Sequence, residues 1–421
     1  MNTITGEIES HGCGHDGPSM SVDEARRRVY ATLQPLEPVS HVPIRDALNR
    51  VLAEDVYAAI DVPGHANSAM DGYALRACDL GPDGAASLVV IGRALAGHPF
   101  DAEVGPGECV RIMTGGMLPA GADIVVMQEQ VRREGDRVWI EGTHRAGENV
   151  RPAGEDVAKG TLILHRGRRL RPADLGLLAE IGRAEITVYR RPRAAFFSTG
   201  DELRSVGEPL GPGEIYDSNR YTLYGMLARL GVEILDLGVV RDDRAALAQA
   251  LDTASASADV VITSGGVSVG EADYVTKLLA ARGAIEFWTI NIKPGRPLAF
   301  GRLDNVAFFG LPGNPVSAMV TFYQVVQPAL LYLEGEAPCP PMRMAARCAE
   351  QLRKKGRRRE YQRGILSTAA DGALEVRSTG AQGSGILRSM SKANCFIVLA
   401  EECTGVAAGE WVTVEPFAGL V

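Results

Sequence analysis

Short apolar runs that alternate with helical patterns dominate the second half of the chain. The run 259–263 (DVVIT) is β-branched and apolar without alternation, as in a strand buried on both faces. Further strand candidates lie at 194–198, 232–240 and 306–310, with helix candidates at 219–230, 244–254 and 316–333. Alternating strands and helices predict a parallel sheet covered on both faces, so we expect residues 183–335 to form a doubly wound α/β domain.

The first half of the chain has a different pattern. Ser21, followed three residues later by Glu24, predicts a capped amphipathic helix that ends near residue 33. Short strand candidates separated by Gly and Pro recur from residue 88 to residue 141, which is typical of a small barrel-like β unit. We therefore expect residues 61–149 to form an inserted β domain.

The remaining segments complete the predicted domains. Residues 21–60 and 150–182 together predict an extended mixed domain, in which TLILHRGRRL (161–170) has the pattern of a hairpin. A Pro-rich break near residue 340 precedes a region of short strands, so residues 340–421 predict a small C-terminal β domain. The polar residues 1–20 predict a disordered leader, although its His11, Cys13 and His15 are of the types that bind metals.

Composition excludes several functions. The formal net charge of −8 argues against general binding to nucleic acid, so an anionic ligand must be met by local basic groups. The seven cysteines are scattered without a paired motif, which favours reduced thiols in a cytoplasmic protein. No apolar run of membrane-spanning length and no signal-peptide core are recognisable, so we expect no membrane association. Histidine is absent after His165, which excludes a histidine-dependent triad in the second half.

The most informative stretch directly follows the strand 259–263. Its glycines, Gly265 and Gly266, allow a tight turn that presents backbone N–H groups to a ligand, and a helix candidate follows at 274–282. A strand, a glycine turn and a helix are the elements with which a parallel sheet binds phosphate. A plain tight turn is the alternative interpretation of the same residues.

Acidic side chains occupy several of the loops predicted at the same edge of the sheet. The loops in question contain Asp201 and Glu202, Asp242 and Asp243, the segment 265–273, and the segment 312–315. Two unit charges about 4 Å apart repel by about 4 kcal/mol at intermediate dielectric, so bare carboxylates would oppose a phosphate. Mg²⁺ bound by oxygen ligands removes the conflict, and Lys293 and Arg296 add positive charge. The alternative assigns the acids to helix caps and surface ion pairs.

Two further segments are candidates for function or for plain connection. The polar loop 61–74 contains Asn67, Ser68 and Asp71, and Thr114 begins a second glycine turn at the end of a strand candidate. The basic run 353–359 is consistent either with an anion-binding lining or with a solvated surface. From these residues alone we predict a phosphate- or nucleotide-handling site with Mg²⁺, and no particular substrate.

Seven separated motifs then resemble one family, the molybdopterin molybdenumtransferases (MoeA proteins), to which the E domain of gephyrin is related. The motifs are SAMDGYA, RIMTGG, FSTGDEL, IYDSNR, TSGGVSVGEADY, KPGRP and GLPGNPVSA. The resemblance extends from about residue 21 to the C-terminus. It implies transfer of molybdate to adenylylated molybdopterin with release of AMP, dependence on Mg²⁺, and an elongated homodimer of four-domain subunits in the cytoplasm, working with other proteins of molybdenum cofactor biosynthesis.

The resemblance also implies roles for particular residues. The catalytic positions of the family fall on Asp71, Thr114, Glu202, Asp242 and Asp273. Its substrate-binding positions fall on Gly265, Gly266, Ser268, Lys293, Arg296, Pro312, Pro315, Arg363 and Ser384. Its Mg²⁺ ligands fall on Asp242 and Asp273, with Asp156 as a further candidate. This chain has Arg296 where many relatives have lysine, and Thr289 where many have another lysine, so its basic charge is arranged differently.

Two other functions remain as alternatives. Molybdopterin adenylyltransferases share the Gly-Gly-Val-Ser loop but consist of little more than that one domain. A scaffold function is the alternative of another class, since the gephyrin relative also clusters receptors, but no segment here has the composition of an interaction linker.

Overall fold

The computed structural model describes residues 19–37, 39–266, 278 and 282–417. By their internal contacts the residues divide into two compact units, one formed by Met1–Val39 with Tyr189–Val421 and the other by Ser40–Val188. The predicted leader, Ser268 and Asp273 lie outside the described residues, as does most of the predicted helix 274–282. The two units are described separately.

A six-stranded sheet forms the centre of the first unit. Its strands, in spatial order, are Glu233–Val240, Arg193–Thr199, Val260–Ser264, Val306–Leu311, Pro297–Leu303 and Gly283–Thr289. The first four run parallel to one another. Pro297–Leu303 is antiparallel to Val306–Leu311, and Gly283–Thr289 is antiparallel to Pro297–Leu303 and so runs in the same direction as the first four. The sheet is therefore mixed, and the strand Pro297–Leu303 was not predicted from the sequence.

Successive residues of the central strands enter two different hydrophobic cores. Phe196, Ile262 and Phe309 belong to one core, while their neighbours Phe197, Val261 and Phe308 belong to the other. Side chains of a strand alternate between the two faces of a sheet, so both faces are covered by helices. One core includes residues of the helices Val22–Thr32, Ser218–Arg229 and Pro315–Leu333, and the other includes residues of Arg244–Ser257. The doubly wound arrangement is confirmed.

The cap predicted for the first helix is present. The Ser21 side chain accepts a hydrogen bond of 3.1 Å from the backbone N–H of Glu24. The helix Pro315–Leu333 contains a π-helical segment, Phe322–Val326. Its length and composition would suffice to cross a membrane, but 67% of its most apolar stretch is buried inside the protein, as in a core helix.

The C-terminal part of the first unit is a closed five-stranded barrel. Its strands, in order around the barrel, are Arg359–Thr368, Leu374–Ser378, Met344–Cys348, Trp411–Pro416 and Cys395–Leu399, and the last pairs with the first. The short strand Ile292–Lys293 extends the sheet alongside Arg359–Thr368. The helix Leu387–Lys392 and the short pair Leu352–Arg353 with Gly405–Val406 complete this part. Its β character agrees with the sequence pattern.

The second unit contains another six-stranded sheet. In spatial order its strands are Ile124–Met127, Gly72–Leu75, Glu108–Ile112, Ala86–Ala94, Arg137–Ile140 and Val131–Glu134. Two-stranded pairings join Val39–Pro43 to Glu185–Tyr189, Asn67–Ser68 to Val150–Arg151, and Val56–Tyr57 to Leu162–Leu164, and the helix Pro172–Glu180 follows. The predicted hairpin at 161–170 is wrong, because Leu162–Leu164 pairs with Val56–Tyr57 and Arg169 pairs with Val51.

Candidate functional site

A cavity of about 870 Å³ lies at the carboxyl ends of the parallel strands in the first unit. Its lining includes six residues singled out in the sequence: Glu202, Asp242, Gly265, Gly266, Pro312 and Pro315. Its volume suits a drug-sized or nucleotide-sized ligand. Open parallel sheets bind ligands beyond the carboxyl ends of their strands, so this cavity is the candidate site of the unit.

The turn at the end of the central strand is built as only glycine allows. Gly265 has φ of +88° and Gly266 has φ of +65°. A Cβ atom on Gly265 would lie 2.5 Å from the backbone oxygen of Thr199, far inside van der Waals contact. The Gly265 N–H is bonded to the Leu311 oxygen at 3.1 Å, which anchors the turn to the neighbouring strand. The backbone of the turn therefore lines the cavity directly, and Gly265 lies so close to Thr199 that no side chain would fit there.

The start of the helix Ser218–Arg229 supplies a second wall. Asp217 is its N-cap and accepts a bond of 3.0 Å from the Arg220 N–H. Asn219 donates from Nδ2 to Ser264 Oγ and to the Gly313 oxygen, both at 2.7 Å. The Asn219 side chain therefore ties the helix to the end of the central strand and to the loop before the helix Pro315–Leu333. Asp217, Asn219 and Ser264 all line the cavity.

Two carboxylates of the cavity lining come from different loops. Thr199 Oγ1 donates to Asp242 Oδ1 at 3.1 Å, which fixes the direction of that side chain. Glu202 is exposed in the loop after the strand Arg193–Thr199. Asp243, in contrast, caps the helix Arg244–Ser257 by accepting bonds from two backbone N–H groups, which is the structural role considered for these acids.

Positive charge near the cavity is arranged by the segment 293–297. Lys293 Nζ lies 3.2 Å from both carboxylate oxygens of buried Glu360, which connects the segment to the C-terminal barrel. Arg296 is exposed, and the adjacent Pro297 lines the cavity. The Gly295 backbone packs against Ser317 and Thr321 of the long helix, where a Cβ would lie 2.6 Å from Thr321 Oγ1.

Arg363 is a buried guanidinium held by neutral groups. It is 1% exposed, and its Nε donates to Ser389 Oγ at 3.0 Å while Nη2 donates to the Gly383 oxygen at 3.2 Å. Burial lowers the pKa of Arg363 to about 10, and nearby Glu360 opposes this shift. The loop that it supports reaches the cavity, because Gly385 lines it and the Ser384 oxygen accepts a bond of 3.0 Å from the Val316 N–H.

The basic run 353–359 is not part of the cavity lining. Arg353, Lys355 and Arg357 are exposed. Lys354 is buried and donates to the backbone oxygens of Gly356 and Glu401, each at 3.0 Å. Among the two interpretations of the run, the described residues favour a surface segment with one buried structural lysine.

A separate polar cluster lies in the second unit. Asp71 Oδ1 accepts two bonds from Thr114, one from the backbone N–H and one from Oγ1, both at 2.8 Å. These bonds, the backbone one first, lower the pKa of Asp71 below its ordinary value of 3.8, so the carboxylate is charged at neutral pH. The structure therefore joins two residues 43 positions apart. Asp156 is exposed in the same unit, and its N–H donates to the Val62 oxygen at 3.0 Å.

The described residues contain no group of three or more His, Cys, Asp or Glu side chains placed to hold a metal ion. Asp242 alone of the predicted Mg²⁺ ligands lines the described cavity, since Asp156 is in the other unit and Asp273 lies outside the described part. Mg²⁺ is commonly held by one or two carboxylates together with substrate phosphates. The donor set of Asp242 and Glu202 fits that kind of binding.

The cavity lining also contains polar residues for which the sequence alone predicts no role. They are Thr199, Asp217, Asn219, Ser264 and Ser317. Asp217 and Asn219 belong to the motif IYDSNR, which was recognised as a string without a role for each residue. The position of that motif before a helix candidate was the available signal, because a polar helix start at a sheet edge often faces a ligand.

Family models describe three consecutive parts of this chain. Residues 20–182 match the MoeA N-terminal region (domains I and II), residues 195–332 match the probable molybdopterin-binding domain, and residues 345–417 match the MoeA C-terminal region (domain IV). A molybdopterin molybdenumtransferase of Haemophilus influenzae is 45% identical over 96% of this chain and 100% of its own length. The chain belongs to the MoeA family of molybdopterin molybdenumtransferases.

Other members of the MoeA family agree in length and fold. A molybdopterin molybdenumtransferase of Nostoc is 37% identical, and one of Bacillus subtilis is 34% identical, over 94% and 93% of this chain and the same shares of their own lengths. The crystal structure of a molybdopterin biosynthesis MoeA protein from Pyrococcus horikoshii superposes with a TM-score of 0.83 at 29% identity, covering 95% of this chain and 100% of that one. The predicted multidomain α/β architecture is thereby confirmed.

Proposed function

We propose that this protein transfers molybdate to adenylylated molybdopterin, forming molybdenum cofactor and releasing AMP. The observation that carries the proposal is the cavity at the Gly265–Gly266 turn, in a chain related over nearly its full length to molybdopterin molybdenumtransferases. A cleft lined by a glycine turn and carboxylates suits a phosphoanhydride with its counter-ion. The enzyme is a transferase by family.

The protein's contribution to this reaction is positioning and charge. The pterin thiolates are soft ligands that bind molybdenum once molybdate is held beside them, so no side-chain nucleophile is required. We assign the binding of the phosphoanhydride to the Gly265–Gly266 turn, with the Gly266 N–H as its backbone donor because the Gly265 N–H is bonded to the Leu311 oxygen, and, outside the described residues, to Ser268. Asp242, oriented by Thr199, is assigned the proton of the water molecule that attacks the phosphoanhydride, whose P–O–P bond breaks so that one phosphate leaves as AMP and the other stays on the pterin; Asp273 is assigned the same kind of role.

Mg²⁺ would be held by Asp242 together with Asp273, and Glu202 belongs to the same cavity lining; Asp156, in the other unit, stays a separate candidate. The cation supplies neutralisation of phosphate charge when it is bound. Support comes from the hard oxygen donors at the cavity and from the need to reconcile carboxylates with an anionic substrate.

Molybdate is assigned to the side of the cavity near the C-terminal barrel. Lys293, Arg296, Arg363 and Ser384 are the candidate anion-binding residues; none of these four described residues is among the cavity-lining residues, whereas Pro312 and Pro315 are part of the wall. The support is the bond between the Ser384 oxygen and the start of the long helix, which brings the barrel loop to the cavity. Asp71 and Thr114 are proposed to act in the same reaction through their charged, doubly hydrogen-bonded cluster. We further propose a homodimer in the cytoplasm that works with other proteins of the pathway.

The test is AMP release by the purified protein supplied with adenylylated molybdopterin, molybdate and Mg²⁺. We expect AMP to appear only when molybdate is present, and Asp242→Asn to release it at least tenfold more slowly, since proton transfer by a positioned group contributes factors of this size or more. Asp243→Asn is the matched control, because Asp243 caps a helix one position away. Formation of adenylylated pterin from ATP by this chain alone would instead favour the adenylyltransferase alternative. Size-exclusion chromatography with light scattering tests the homodimer.

A further inference from the structure

Two buried oxygen atoms at the cavity have no hydrogen-bond partner among the residues that the structure describes. They are Oδ2 of Asp217 and Oδ1 of Asn219. The two residues are 2% and 7% exposed, and both line the cavity. Buried polar atoms are nearly always paired in folded proteins, with protein groups or with water, so such atoms at a cavity are available to a ligand that supplies the partner.

The environment fixes Asp217 as an acceptor. Its first carboxylate oxygen caps the helix by accepting from the Arg220 N–H, and its own N–H donates to the Arg204 oxygen at 3.1 Å. The adjacent Arg220 guanidinium does not serve it, because Nε donates to both oxygens of Asp236 at 2.9 Å. The second oxygen of Asp217 is thus held in place and is still able to accept a hydrogen bond.

Asn219 is oriented just as firmly. Its Nδ2 lies 2.7 Å from the Gly313 oxygen, which is a carbonyl and can only accept. The amide nitrogen must therefore face Gly313, and the amide oxygen must face the other way. The second bond of Nδ2, to Ser264 Oγ, holds this orientation from another strand. Asn219 Oδ1 is consequently an acceptor by geometry and not by an arbitrary choice between its two ends.

We propose that Asp217 Oδ2 and Asn219 Oδ1 bind an N–H or O–H donor group on the organic part of the substrate. This inference rests on the proposed function, because adenylylated molybdopterin carries such donors on its ribose, adenine and pterin, whereas its phosphoanhydride and molybdate are ionised at neutral pH and can only accept. The cavity is therefore divided by chemistry. The Gly265–Gly266 backbone serves the anionic part, and the start of the helix Ser218–Arg229 serves the donor part and repels a misplaced anion.

The experiment measures AMP binding by calorimetry in wild type and Asp217→Asn, once with Mg²⁺ and once with EDTA. Asparagine retains a capping oxygen but turns the second oxygen into an N–H₂ donor, which opposes a ligand donor. We expect AMP affinity to fall about 10- to 100-fold, the range for a lost hydrogen bond to a charged group. Asp217→Ser retains the cap and removes the second oxygen, so it should weaken binding without repulsion. Asp243→Asn, also at a helix cap, should bind AMP normally.

Analogues then identify the donor. If the donor is a ribose hydroxyl, 2′-deoxy-AMP or 3′-deoxy-AMP will bind wild type and Asp217→Asn with equal affinity. If the donor is the adenine amino group, purine riboside 5′-monophosphate will bind the two proteins with equal affinity. Unchanged AMP affinity with weakened binding of pterin (2-amino-4-oxopteridine) assigns the donor to the pterin. Equal binding of AMP and of pterin by wild type and Asp217→Asn overturns the inference, as does a difference that appears only with Mg²⁺. An affinity difference in a protein that releases no AMP during turnover would instead count against the proposed function.

Discussion

Replacing Gly265 by alanine tests whether the glycine turn positions the ligand. The residue has φ of +88°, and an added Cβ would lie 2.5 Å from the Thr199 oxygen, where ordinary contact begins at 3.4 Å. The two backbone segments must therefore separate by about 0.9 Å. Neither can yield cheaply, because Gly265 is bonded to the Leu311 oxygen and Thr199 ends the adjacent buried strand.

The magnitude follows from two contributions. The left-handed conformation costs a non-glycine residue about 1–2 kcal/mol. Forcing an extra methyl group into packed surroundings costs typically about 1–3 kcal/mol more. Gly265→Ala should thus lower the free energy of unfolding by about 2–5 kcal/mol. Displacement of the turn by nearly 1 Å should also reduce turnover by about 100-fold, the effect of a misplacement of this size in an active site.

Gly372→Ala is the matched control. Gly372 has φ of +84° and nothing within 4 Å of its added Cβ, so it carries the conformational cost without the steric one. Urea denaturation and AMP release under the conditions above provide the two readouts. If Gly265→Ala loses no more stability than Gly372→Ala and releases AMP at the wild-type rate, the close contact with Thr199 does not position the turn.

Three further predictions concern charged groups. Arg190 binds both Asp259 oxygens at 2.7 Å, and although burial raises the Asp259 pKa, the Arg190 bonds lower it below 3.8 overall. Asp259→Asn should lower the free energy of unfolding by about 2–3 kcal/mol at pH 7. This difference should shrink as pH falls below 3.8, because the stability contributed by a carboxylate with a lowered pKa is lost as pH falls through its folded pKa. A pH-independent difference would contradict this. Thr114→Val should raise the Asp71 pKa, measured by NMR titration, because it removes the Oγ1 bond; an unchanged pKa would show that this bond is unimportant. Arg363→Lys should raise the KM for molybdate about tenfold or more and should also lower the unfolding temperature, because the fork-shaped guanidinium and its buried bonds to Ser389 and Gly383 are lost; an unaltered KM would assign Arg363 to structure alone.

The strands of the α/β domain were predictable because their signal is local. The predicted strand 259–263 is observed as Val260–Ser264, a shift of one residue. The predicted strand 306–310 is observed as Val306–Leu311, one residue longer. Uninterrupted β-branched and aromatic residues have few other ways to be buried on both sides. The strand Pro297–Leu303 was missed since it begins at a proline within a Gly- and Pro-rich segment, and its pairing with Val306–Leu311 depends on tertiary context.

The candidate site was predictable only in part, for a physical reason. Motifs identified Glu202, Asp242 and the glycine turn, and the structure places them around one cavity, but their roles stay predictions. The unpaired oxygens of Asp217 and Asn219 could not be predicted, because whether a polar atom lacks a partner depends on everything that folds around it. The failed hairpin at 161–170 has the same origin, since Leu162–Leu164 finds its partner about a hundred residues away.

The bond from Val316 to Ser384 gives the C-terminal barrel a share in the cavity wall. A ligand in the cavity would contact both the α/β domain and the barrel loop that contains Ser384. Its binding free energy would therefore also stabilise the contact between these two parts. Substitutions that weaken this contact far from the cavity should therefore weaken ligand binding. Bound ligand should in turn protect the Pro-rich connection near residue 340 from proteolysis.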